Sequence, residues 1–147
     1  MKRLIPLVAI GAMLAALPAS ASAKGTKTKK VVFEKTNGIC TSGLTEGTAT
    51  KSSSATFTIK AGTISVKVVV KGLKPQQKYG VDIAQTPSGE GCGMVPAEAS
   101  LTTNKAGNGK VTFSEAIEPG ATNTFAWMPT EPATGEGILA TENVPLK

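Results

Sequence analysis

Residues 63–85 read TISVKVVVKGLKPQQKYGVDIAQ, and the alternation in this stretch limits the fold more than any other feature of the chain. Ile64, Val66, Val68 and Val70 alternate with Ser65, Lys67, Val69 and Lys71, the two-residue period of a strand with one buried face. After the turn GLKPQQ, Tyr79, Val81 and Ile83 alternate with Gly80, Asp82 and Ala84 in a second strand. Two strands joined by a short Gly/Pro turn cannot hide their apolar face alone, so the rest of the chain must supply an opposing layer.

The remaining sequence carries more strands of the same kind. Residues 31–35 (VVFEK) predict a first strand, and Ala55, Phe57 and Ile59 mark another that turns at Ala61-Gly62 into the central stretch as a β-hairpin. Gly43 and Gly47 interrupt residues 39–50, which predict at most a short strand near 45–51, and Ser52-Ser53-Ser54 reads as a loop. Residues 86–96 (TPSGEGCGMVP) read as a long loop. A strand follows near 98–103, and Asn108-Gly109 before Val111 and Phe113 signals a hairpin. Residues 122–128 form the next strand, 128–137 a second loop and 138–146 the last strand. This predicts eight or nine antiparallel strands without helical periodicity, the pattern of an all-β sandwich or barrel.

The start of the chain reads as an address. Lys2 and Arg3 precede an apolar run over residues 4–17, and Ala21-Ser22-Ala23 supplies small residues for cleavage, so residues 1–23 predict a secretory signal peptide. The alternative, a membrane anchor, needs about 20 apolar residues and usually a basic flank after them. Residues 24–30 (KGTKTKK) then read as a basic flexible arm, with an electrostatic tether to an anionic cell-wall polymer or lipid headgroups as the sharper reading. Residues 31–147 make a single domain. Without Lys2 and Arg3, 14 of the 16 basic residues remain against 10 carboxylates, and none of them is Arg. That argues against nucleic acid, for which Arg supplies the bidentate contacts. The predicted localisation is secreted or periplasmic, with no transmembrane anchor.

Chemistry-bearing residues are few. Cys40 and Cys92 are the only cysteines, and an even count in an exported chain predicts a disulfide, worth about 4 kcal/mol for a loop of this length. The chain has no His, which excludes a His-based triad, a His general base and His-ligated zinc or copper. Met94, Met128 and the cysteines could form only a soft Cu(I) site, and scattered Met is more often core filler, so no metal or cofactor is expected. Asp82, the only Asp, reads as solvated surface charge, and no pair of glutamates stands out for glycosidase chemistry. Residues 89–93 are glycine-rich but lack the strand–turn–helix setting of a phosphate loop. Trp127 and Met128 are the one bulky candidate binding surface, with Met94 in the long loop as a third member. A lone Trp on an alternating strand is otherwise core.

Gly72-Leu73-Lys74-Pro75 followed by Tyr79 resembles the E–F corner of fibronectin type III and related immunoglobulin-like domains. The resemblance implies an immunoglobulin-like antiparallel sandwich, with Leu73 in the core, Pro75 shaping the turn and the Tyr79 hydroxyl bonded back to the main chain. It implies no activity. Residues 72–79 with the later TTNKAGNG also resemble copper–zinc superoxide dismutase-like sandwiches, whose histidine ligands are missing here. The sequence therefore predicts a non-enzymatic binding or cell-envelope module whose partner is a protein or an envelope polymer, bound at the loops 86–96 and 128–137. A small-ligand carrier with an apolar pocket between the sheets and a glutamate-based hydrolase are the alternatives.

Overall fold

Period-two alternation becomes strand throughout, because each β-branched run has one face to bury. The structure, a computed structural model, describes residues 25–36, 48–86, 99–131 and 136–147. The strands are β1 (Lys27–Thr36), β2 (Thr48–Lys60), β3 (Thr63–Val70), β4 (Lys78–Thr86), β5 (Ala99–Thr102), β6 (Gly109–Ala116), β7 (Asn123–Glu131), β8 (Glu136–Thr141) and β9 (Val144–Pro145). There is no helix among the described residues.

All pairings are antiparallel, in the order β5-β4-β7-β8-β1-β2-β3-β6, and β9 adds to β7. The sheet curls until its two end strands, β5 and β6, lie alongside each other, giving a nearly closed barrel. Gly109 stands at that seam, where a Cβ would come within 2.7 Å of Leu101 Cδ1. Beyond the short β5, the Gln85 side chain spans the gap. Its Nε2 donates to Glu115 Oε1 (2.7 Å) and to the Ala116 carbonyl (2.8 Å), and its Oε1 accepts from Glu118 N–H (2.9 Å).

The interior is the alternating set. Phe33, Phe57, Ile64, Val66, Val68, Val70, Tyr79, Val81 and Met128 are all fully buried in one cluster, the Val-rich core that the composition implies. The Tyr79 hydroxyl accepts from Lys74 N–H at 3.1 Å, and half-buried Leu73 packs against the core. Thr103 ties the same corner to the β5–β6 connection: its Oγ1 accepts from Gln77 N–H (3.0 Å) and donates to the Lys74 carbonyl (2.6 Å).

Four local expectations change. Residues 27–30 are not part of a loose arm: they are the first part of β1, in register with β2 from Lys27↔Ile59 to Lys30↔Thr56. An open edge of β2 takes up even a Lys-rich segment through main-chain bonds, which depend little on side-chain type. Ser52–Ser54 lies within β2 and not in a loop, at an irregularity where the register advances two positions along β1 (Val32 to Glu34) and five along β2 (Ser54 to Ala49). β5 and β6 do not form a laddered hairpin, since β5 pairs with β4 and β6 with β3. Asn104 closes their connection instead, its Oδ1 accepting from Ala106 and Asn108 N–H. The last strand is two, β8 and β9, separated at Glu142-Asn143.

Candidate functional site

The outward faces of β1, β2 and β3 carry a concentration of charge and hydroxyl groups that strand register brings together. Phe33, Ala55, Phe57, Ile64, Val66 and Val68 point inward, so their strand neighbours point to solvent. Register sets Lys30 beside Thr56 and Thr56 beside Lys67, and in the next row Val32 beside Ser54 and Ser54 beside Val69. Neighbouring strands lie about 4.8 Å apart, so Lys30 and Lys67 flank Thr56 at roughly 10 Å between backbones. Their long side chains can then meet over one bound group.

This surface is concave beside the register shift between β1 and β2. A hollow of about 310 Å³ opens there, with Lys30, Lys67 and Lys71 around it, Ser52–Ser54 and Thr56 on the middle strand, and Val32 and Val69 as its apolar part. Val32 is 44% exposed, the one large apolar side chain so open among the described residues. Ser53 is buried, and its Oγ accepts from Lys71 N–H at 3.2 Å, which fixes the start of the β3–β4 connection against β2. Among the described residues the lining holds no carboxylate, and none of Lys30, Lys67 and Lys71 has an ion-pair partner. Lys29, by contrast, is on the alternate face of β1 and pairs with Glu142 at 3.0 Å. Three like charges without an interleaved acid repel one another, a cost that a bound anion would relieve.

The residues singled out from sequence lie elsewhere. Trp127 is half-buried on the outside of β7, over a small cluster of Ala84, Phe125 and Ala140. Met128, expected beside it on a binding surface, is fully buried in the core, because Thr124, Ala126 and Met128 are the inward residues of β7. Met94, Cys40 and Cys92 lie outside the described residues, as do residues 1–24 and most of the loop 86–96. The expected loop 128–137 is strand at both ends: residues 128–131 continue β7 and residues 136–137 begin β8, paired from Met128↔Leu139 to Glu131↔Glu136, and residues 132–135 lie outside the described residues. Asp82, expected to be solvated, is 4% exposed, and its Oδ1 accepts from Ile83 N–H at 2.8 Å. β4 is buried on both faces over residues 81–85, so the outward position there is not a wet one. No group of three or more acids or cysteines able to hold a metal occurs among the described residues.

Sequence reasoning misses the hollow because its parts come from different readings. Lys30 belongs to the supposed arm, Ser52–Ser54 to a supposed loop, and Lys67 and Lys71 to the plain polar half of a strand. The one available signal is that the outward positions over residues 65–71 include two Lys and no acid.

In comparisons with known proteins, no family model matches the chain, and no curated protein or solved structure matches it.

Proposed function

We propose that the chain is an exported, non-enzymatic binding module of immunoglobulin-like build that attaches to an anionic envelope polymer through the outward face of β1, β2 and β3. The observation that carries this is the Lys30–Lys67–Lys71 hollow, a cationic concavity without an acid in its described lining. Lysines gathered in this way raise the local concentration of an anionic partner and hold it by many weak, exchangeable contacts. Export rests on the leader-like residues 1–23.

Strand pairing supports the immunoglobulin-like build. The ladders β2–β3, β3–β6, β4–β7 and β7–β8 have the connectivity of the A–B, B–E, C–F and F–G pairs of a two-sheet immunoglobulin sandwich. β1 is then an additional strand that joins A to G. In this alignment the Gly72–Tyr79 corner connects the second and third strands of the sandwich, so its likeness to an E–F corner is one of local geometry.

The test is retention on an immobilised polyanion, with elution by salt. Binding that weakens steeply between low and physiological ionic strength is expected, because exposed charges are screened over about 8 Å at 0.15 M. The triple variant Lys30→Gln, Lys67→Gln, Lys71→Gln should elute much earlier than a variant with three Lys→Gln changes elsewhere. Equal elution of the two would refute this function.

A further inference from the structure

The hollow has more chemical detail than a general attraction for negative charge requires. It offers three ammonium groups, hydroxyls on Ser54 and Thr56, and two valines, within about 310 Å³. That volume is at the low end of the ~300–1,000 Å³ of small-molecule sites, enough for one or two small units of a chain and not for a flat polymer surface. Lys is a compact donor suited to a tetrahedral oxyanion, which needs several donors converging from different directions. Val32 and Val69 face each other across Ser54 and present an apolar step beside the charges. A sugar or polyol has this combination of demands: hydroxyls that seek polar partners and a C–H face that seeks apolar cover.

Resting on the anionic-polymer function proposed above, we infer that the hollow is a subsite for a single phosphorylated or sulfated saccharide or polyol unit. The oxyanion sits between Lys30, Lys67 and Lys71, the unit's hydroxyls meet Ser54 and Thr56, and its C–H face covers Val32 and Val69. The shared chemistry is a tetrahedral oxyanion on a hydroxylated carrier, and the phosphate or sulfate source is separated by the choice of probe.

Calorimetric titration of the full chain tests this, with a short sulfated oligosaccharide, a short glycerol-phosphate oligomer, inorganic phosphate and vesicles of anionic phospholipid as probes. At least one oligomer should bind well above inorganic phosphate and above the vesicles, and which one it is identifies the source. Lys67→Gln should weaken that binding by about tenfold, the worth of one charge-assisted contact. Thr56→Val, which changes no charge, should weaken it about threefold. Lys105→Gln, an equal loss of charge in the β5–β6 connection, should leave it within about twofold. Unchanged thermal unfolding of each variant shows that the scaffold is intact. Equal losses for Lys67→Gln and Lys105→Gln, with no effect of Thr56→Val, would overturn the subsite while leaving general polyanion binding in place. Vesicles binding as tightly as the oligomers would also overturn it. No salt-sensitive binding of any polyanion would remove the anionic-polymer function itself.

Discussion

Gly107 shows most plainly how a single residue sets this fold. Its φ is +74°, in the left-handed region, and a Cβ there would overlap the carbonyl oxygen of Leu73, whose own N–H donates to the Gly107 carbonyl at 3.1 Å. Gly107→Ala combines backbone strain with a main-chain clash and should cost at least about 2 kcal/mol, read as a fall in the urea midpoint without a change in slope. Tyr79→Phe removes only the bond from Lys74 N–H and should cost about 1 kcal/mol in the same measurement. Gln85→Ala should cost more than Tyr79→Phe, since three bonds bridging β4 to the end of β6 are lost together. The Tyr79 contact is legible in the sequence because a corner motif names both residue and role. The burial of Asp82 is not, because alternation tells which way a side chain points and not what lies over that face.

At the level of strands, alternation succeeds where one face is wet and the other dry. β3 follows it throughout, and Ile64, Val66, Val68 and Val70 are the buried residues the pattern names. It fails at β7, where Phe125 and Trp127 look like the core set and yet Thr124, Ala126 and Met128 point inward. Both faces of β7 are apolar enough that hydrophobicity alone does not choose between them, and the ladders to β4 and β8 decide. β1 fails in the opposite sense, since residues 27–30 have too little apolar character to announce a strand that pairing with β2 supplies. Removing residues up to Lys30 should therefore lower Tm by at least about 5 °C, whereas removing a loose arm would leave it unchanged; calorimetry distinguishes the two.

Over the whole molecule, the sheet closes on itself only through contacts distant in sequence. β1 pairs with β8, so Glu34 meets Ala140, and β4 joins β7 with Ala84 opposite Phe125. Such closure delays folding until the C-terminal strands arrive, and refolding on the millisecond-to-second scale of non-local β proteins is expected in stopped flow. The candidate site rests on a different ladder, that of β1 with β2, which sets Lys30 beside Thr56 at the hollow. The all-β class and most strands were legible from local alternation. The hollow was not, because it depends on the register of three strands and on an irregularity that no local pattern marks. Backbone NMR during titration with a short sulfated or phosphorylated oligomer tests this account most directly. Shifts confined to Lys30, Val32, Ser52–Ser54, Thr56, Lys67, Val69 and Lys71, fading as salt is added, are the predicted result. Shifts centred on Trp127, or none at low salt, would contradict it.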